Sequence, residues 1–255
     1  MKTSGLYRSG LAGVATALIF ALFSCSSDEK STMRVHLTDA PGNFDAVYID
    51  VQEVNIHTSS NGWQTMNVNT GIYNLLDFTN GMDTLLGTAT VPSGMVSQMR
   101  LVLGSNNSVV ADGNSHPLTV PSGQTSGLKF NVHENLEPGL TYDIWIDFDA
   151  GRSIVHTGND TYILKPVIRT YTQANSGGIK GIVSPLNVQT YVMAVAGGDT
   201  LGTYADASGN FLIAGAPAGT YTVTFTAAGF QVQLVNGVVV TVGNVTDMGT
   251  IVMLP

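Results

Sequence analysis

Tyr142-Asp143-Ile144-Trp145-Ile146-Asp147-Phe148-Asp149 carries the densest chemistry in the chain. As a strand its side chains alternate, so Tyr142, Ile144, Ile146 and Phe148 share one face and Asp143, Trp145, Asp147 and Asp149 the other. An indole bordered by carboxylates is equipped to stack on a sugar ring while the acids accept its hydroxyl protons. Asp143, Asp147 and Asp149 also make a candidate oxygen set for Ca²⁺, the one cofactor the sequence offers, which takes about six to eight oxygens. The bland alternative is a half-solvated strand whose Trp145 is covered by a loop or by another domain.

Catalysis has less behind it. A glycosidase needs two carboxylates roughly 5–9.5 Å apart in a cleft, whereas Glu53, Glu134 and Glu137 are scattered among turns and strand ends. His36, His57, His116, His133 and His156 lack the paired spacing of a metal site. They are expected mostly at the surface, His36 and His57 at open strand ends and His133 pointing outward. No serine sits in a nucleophile elbow and no glycine loop precedes a helix. The expectation is a protein that is not an enzyme, with no catalytic residue assigned.

The only cysteine, Cys25, excludes an intrachain disulfide and a cysteine-built zinc site. Its context gives it another use. Met1 to Gly10 carries Lys2 and Arg8 and no acid, and Leu11 to Phe23 is apolar except for Thr16, the layout of a secretory signal. That run is short of the ~20 residues of a spanning helix. Leu22, Ser24 and Cys25 resemble a bacterial lipobox, in which the cysteine is lipidated and becomes the first mature residue; Phe23 is bulkier than usual at its position. Ser26 is not the aspartate that holds lipoproteins at the inner membrane, and Asp28-Glu29 resemble the acidic tract of surface-exposed lipoproteins in Bacteroidetes. The resemblance implies an outer-membrane, lipid-anchored, cell-surface protein.

Cleavage before Cys25 removes Lys2 and Arg8, leaving eight basic against eighteen acidic residues and moving the formal charge from -8 to -10. Such a surface repels phosphate and sulfate, so nucleic acid is not an expected partner. With 44% hydrophobic residues the chain is not disordered, and with 11% charged its outer faces are polar without being charged.

The elements that must position these groups read as strands throughout. Val35 and Leu37 alternate with polar residues, and Val47, Ile49 and Val51 do the same before Val54 and Ile56 take up the other phase. A phase change within one strand predicts a bulge near Gln52-Glu53. Asn61-Gly62 predicts a hairpin; Tyr73 to Leu86 reads ambiguously, Leu75, Leu76 and Phe78 being able to form a short helical turn that Asn80-Gly81 stops. Pro92-Ser93-Gly94, Pro138-Gly139 and Pro217-Ala218-Gly219 each feed an alternating strand, as at sandwich corners. Pro166 demotes Ile163 to Ile168 to an edge strand or a bulge. Gln173 to Gly178 is a small-residue linker. Beyond it Ile179–Ser184, Tyr191–Val195, Phe211–Ala214, Tyr221–Phe225, Val238–Val242 and Ile251–Leu254 read as strands.

Residues 32–172 resemble the DUF4382 family of bacterial lipoprotein domains. The resemblance rests on Val35-His36-Leu37-Thr38-Asp39-Ala40-Pro41, Ala46 to Val51, Asn74 to Gly81, Pro92 to Leu103 and Leu164-Lys165-Pro166. The family implies no activity. Residues 179–255 resemble carboxypeptidase regulatory-like, transthyretin-type modules, through Gly181-Ile182-Val183, Ala205 to Phe211 and Pro217 to Val223. The expected organisation is a signal peptide (1–24), a lipidated tether (25–31), a β domain (32–172), a linker (173–178) and a second β domain (179–255). The expected fold class is all-β, two β-sandwich domains of immunoglobulin or transthyretin type. The expected role is adhesion or capture of an extracellular ligand, a glycan or surface protein, by an anchored, non-catalytic protein. The alternatives are a structural or assembly subunit of a surface fibre and, more remotely, a carbohydrate-processing enzyme.

Overall fold

The computed structural model describes residues 29–40, 42–121 and 127–255. The leader, the lipobox and Cys25 lie outside the described residues. The first domain comprises β1 (Lys30–Ala40), β2 (Ala46–Thr58), β3 (Gly62–Thr65), β4 (Asn67–Val68), β5 (Gly71–Asn74), β6 (Thr84–Pro92), β7 (Gly94–Leu103), β8 (Ser108–Ala111), β9 (Asn114–Thr119), β10 (Leu128–Leu136), β11 (Thr141–Asp149), β12 (Ile154–Gly158), β13 (Thr161–Leu164) and β14 (Ile168–Tyr171). The second comprises β15 (Gly177–Ser184), β16 (Tyr191–Ala196), β17 (Asp199–Tyr204), β18 (Asn210–Ala216), β19 (Gly219–Thr226), β20 (Gln233–Val240) and β21 (Val245–Val252). The strands form an all-β fold with two cores, and β1 opens at Lys30, two residues before the expected domain start.

In the first domain a sheet ordered β14-β11-β1-β6-β4 packs on a larger one ordered β10-β7-β2-β8-β9-β13-β12, with β3 and β5 also paired to β2. Met33, Val35, Leu37, Ile144, Ile146 and Phe148 of the smaller sheet meet Ile49, Val54, Ile56, Met99 and Leu101 of the larger. Each such side chain contributes about 1.5–3 kcal/mol on full burial, which fixes the face that β11 turns inward and therefore the face it leaves for other work. The second domain stacks β18-β15-β21 on β17-β16-β19-β20 around Phe211, Tyr221, Val223 and Phe225.

The bulge sits where the phase change puts it. Register between β2 and β7 shifts between Val51 and Glu53, and Gln52 and Glu53 are both exposed between buried neighbours. The three Pro-Gly segments join β6 to β7, β10 to β11 and β18 to β19, and each carries the chain from one sheet to the other. Ile163 to Ile168 is not one strand: β13 ends at Leu164, the chain crosses at Lys165-Pro166, and β14 forms the edge of the smaller sheet. Proline cannot donate a ladder hydrogen bond, so the strand divides there.

Candidate functional site

β11 lies between β1 and β14, and register decides what meets Trp145. His36 of β1 is its partner on one side and Tyr171 of β14 on the other. Cross-strand partners share a face, so the three rings form one stack. His36 lies 5.0 Å from Trp145 at 22°, and Tyr171 lies 5.5 Å away at 5°. The indole Nε1 donates to Asp83 Oδ2 at 2.9 Å. His36 joins two carboxylates, Nδ1 to Asp83 Oδ1 at 2.8 Å and Nε2 to Asp143 Oδ1 at 3.0 Å. Arg34 Nη2 completes the row on Asp143 Oδ2 at 2.6 Å. Burial pushes the Asp143 carboxyl up, but the hydrogen bonds from Arg34 and His36 outweigh it and hold the group below its ordinary value.

The rest of this face is the joint to the second domain. Asp147 is buried, and its Oδ2 pairs with Arg169 Nη2 at 2.5 Å. The Arg169 guanidinium then donates to Gly215 O at 2.6 Å and Ala214 O at 2.8 Å, both on β18. A second bridge comes from Asn80, whose backbone takes a positive φ of 52° after the 3-10 turn Leu75–Phe78. Its Oδ1 accepts from Thr203 Oγ1 and from Leu212 N, both at 3.1 Å, and its Nδ2 donates to Tyr204 O at 3.2 Å. The small-residue linker is likewise tied down. Asn175 Nδ2 donates to Glu134 Oε1 at 2.5 Å, its Oδ1 accepts from Thr172 N at 3.0 Å, and Ser176 Oγ donates to Thr172 O at 2.5 Å.

Two clefts border this joint, sharing Tyr171, Ser176 and Gly215. One, of about 520 Å³, is lined by Asp149, Arg152, Arg169, Asn175 and Asp199 among others. The other, of about 610 Å³, is lined by Asp83, Trp145, Tyr171, Ala174, Leu212 and Asn244 among others. Burial pushes the Tyr171 phenol up, so it stays a neutral donor.

Sequence alternation put Asp143, Trp145, Asp147 and Asp149 on one face, and they are on one face. The uses expected for them change. Trp145 is no open stacking platform, because β1 and β14 supply a ring to each of its faces. The three acids do not converge as a Ca²⁺ site: Asp143 serves Arg34 and His36, Asp147 serves Arg169, and Asp149 Oδ1 accepts from Arg152 N at 2.8 Å to cap the one-turn helix Ala150–Ser153. Among the described residues no group of three or more histidine, cysteine or acidic side chains is placed to hold a metal ion. His36 is a mid-strand, largely covered residue rather than one at an open end. Asn80, Asp83, Arg169 and Tyr171 were not singled out as site residues, and only the Asn80-Gly81 stop signal pointed near one of them.

Comparison with known proteins gives a family match to "Domain of unknown function (DUF4382)" over residues 30–166 and to "Carboxypeptidase regulatory-like domain" over residues 186–254. No curated protein matches the chain. Among solved structures, the type II cohesin–X-dockerin complex from Acetivibrio cellulolyticus aligns at 26% identity and TM-score 0.26, over 30% of this chain and 56% of that one. The Bacillus anthracis TIE protein aligns at 11% identity and TM-score 0.25, over 88% of this chain and 34% of that one. GBS52, the minor pilin of Streptococcus agalactiae, aligns at 11% identity and TM-score 0.26, over 89% and 95%. The chain thus spans 56% and 34% of the first two, and superpositions this loose carry no argument about function. The sequence match from Lys30 to Pro166 takes in more than half of the chain and nearly all of the sandwich that holds the aromatic stack, so this chain belongs to the DUF4382 family and continues into a carboxypeptidase regulatory-like domain.

Proposed function

We propose that this is a non-catalytic, lipid-anchored protein of the outer cell surface that captures an extracellular ligand in the seam between its two β domains, and that a neutral glycan is the ligand chemistry the seam fits. The observation carrying this is that the three acids on the outward face of β11 are already paired within the protein: Asp147 with Arg169, Asp149 with Arg152, and Asp143 with Arg34 and His36. A charged ligand would have to break those pairs. A polyhydroxylated neutral chain needs only amides, carbonyls and aromatic edges, which is what the larger cleft offers through Trp145, Tyr171, Gln173, Asn244 and its glycines. The acidic surface also works against nucleic acid and anionic polysaccharide. Cys25 supplies the anchor in this reading. No helix among the described residues is long and apolar enough to cross a membrane.

The test is a glycan array with soluble protein starting at Ser26, run with and without Ca²⁺. A hit abolished by Ala174→Trp, which fills the larger cleft from an exposed turn, at unchanged melting temperature, supports seam capture. A second reading, a subunit or anchor of a surface fibre, draws on β20 and β21. Both are edge strands, and they expose Leu234, Val239, Val245 and Val252. No glycan hit in either condition, with concentration-dependent oligomers, would favour that reading instead.

A further inference from the structure

β1 enters the first domain at the end where two sheet-to-sheet corners and a hairpin meet. Glu29 O accepts from Ser93 N at 2.8 Å, Lys30 O from Gly139 N at 2.8 Å, and Leu140 O from Thr32 N at 2.9 Å. Ser31 Oγ joins the same two corners, lying 2.9 Å from Ser93 Oγ and donating to Glu137 O at 2.8 Å. The hairpin between β2 and β3 is tied in through Ser59 N, which donates to Met95 O at 3.0 Å. Its first pairs are Thr58 with Gly62 and His57 with Trp63. This end is apolar at its surface: Leu140 is 54% exposed, Met95 42% and Trp63 38%. Exposed apolar side chains scattered singly need no explanation, whereas a group of them at the end where the chain enters does.

We propose that this end of the first domain docks on the surface of a lipid bilayer, with Leu140, Met95 and Trp63 seated among headgroups and upper acyl chains. The inference rests on the reading of Cys25 as the anchor, because the tether selects the occupant. Cys25 precedes Lys30 by five residues, and each residue spans at most about 3.6 Å, so a lipidated Cys25 holds Lys30 within about 18 Å of the bilayer. The opposite end of the 11-residue β1 lies about 33 Å further on, at ~3.3 Å per residue. The tether therefore presents the Lys30 end, and not the seam, to the lipid. Side-chain chemistry fits that occupant. Indole is favoured at a membrane interface, where its ring meets acyl chains and its N–H stays wet. Charge at this end balances, Lys30 and Arg100 standing against Glu29 and Glu137. Arg100 lies 4.3 Å over the Trp63 ring and forms no ion pair among the described residues, which leaves it for a lipid phosphate. A balanced, apolar end suits a zwitterionic surface, and burial of apolar area rather than net charge drives the contact. Ala40, at the far end of β1, lines the smaller cleft, so docking holds that cleft away from the bilayer.

The test uses the chain starting at Cys25, its only thiol coupled to a maleimide lipid in phosphatidylcholine vesicles brominated near the headgroup end of the acyl chains. Bromine quenches tryptophan on contact, and Trp145, stacked between His36 and Tyr171, serves as the internal reference. Docking predicts quenching that Trp63→Phe removes and that raised salt leaves in place. Met95→Glu and Leu140→Glu each lower the ratio of docked to undocked protein roughly tenfold, at unchanged melting temperature because both side chains are exposed. Absence of quenching in the wild-type protein overturns the proposal, as does quenching unchanged in the double glutamate variant. Quenching that survives Trp63→Phe would put the Trp145 face on the lipid and overturns it too. Chemical coupling makes this result independent of processing in the cell. Incorporation of labelled palmitate during expression, with Cys25→Ala as the blank, tests the anchor separately. Incorporation without quenching refutes docking alone, and quenching without incorporation refutes the anchor alone.

Discussion

Asp39 and Asp143 stand on adjoining strands of one sheet, yet the fold treats their charges in opposite ways. Asp143 is partly solvated and paired, so its carboxyl lies below its ordinary value. Its contribution to stability is present above the unfolded value and is lost as pH falls through the lowered one. Asp39 is fully buried and its carboxyl lies well above 3.8. The folded state therefore binds that proton more tightly than the unfolded state, and stability declines as pH rises from about 3.9 through the raised value. Asp39→Asn is expected to remove that decline and to raise stability at pH 8, measured by urea unfolding across pH. An unchanged pH profile would show that Asp39 is not the titrating group. The alternation around Trp145 was legible because period two is a local property. The rings on either side of it were not, because His36 and Tyr171 reach Trp145 through strand register over long sequence separations.

Among the elements, punctuation was the most readable signal. Proline and glycine restrict or free the backbone wherever they occur, so the three Pro-Gly corners, the bulge at Gln52-Glu53 and the stop at Asn80-Gly81 could be placed without tertiary information. β17 (Asp199–Tyr204) went unread: its DTLGTY sequence has no apolar alternation, and its Gly202, paired with Met193 of β16, leaves room for the Tyr191 ring where a Cβ would be. The linker was legible only as a run of small residues, and the three side-chain hydrogen bonds that fix it depend on tertiary partners. Gly215 on β18 concentrates these element-level constraints. Its φ is 64°, its carbonyl accepts from Arg169, and a Cβ there would run into the Tyr171 ring. Gly215→Ala is expected to cost about 1–3 kcal/mol and to loosen the joint, seen as faster hydrogen exchange at the amides of 212–216 while the core of β19 is unaffected. Equal exchange in the two proteins would mean that the joint tolerates the extra methyl and is looser than described.

Across the whole molecule, the face that the sequence offered as an open binding strand is occupied in making two sandwiches into one body, and two concave surfaces lie beside that joint. Composition and patterning were enough for the all-β class and for a linker between two β segments, because these follow from periodicity and turns, and the family resemblances supplied the order of the two domains. They were not enough to show that the second domain lies on β11, since Arg169 and Asn80 find their carbonyl partners only once both domains are folded. The central claim is that ligand capture takes place in the seam. The most direct measurement is hydrogen–deuterium exchange of the soluble protein with and without the strongest-binding oligosaccharide from the array. Protection confined to 171–178, 212–215 and 243–245 is the predicted result. Protection on the β20 and β21 edges instead, or none anywhere at saturating ligand, would contradict it.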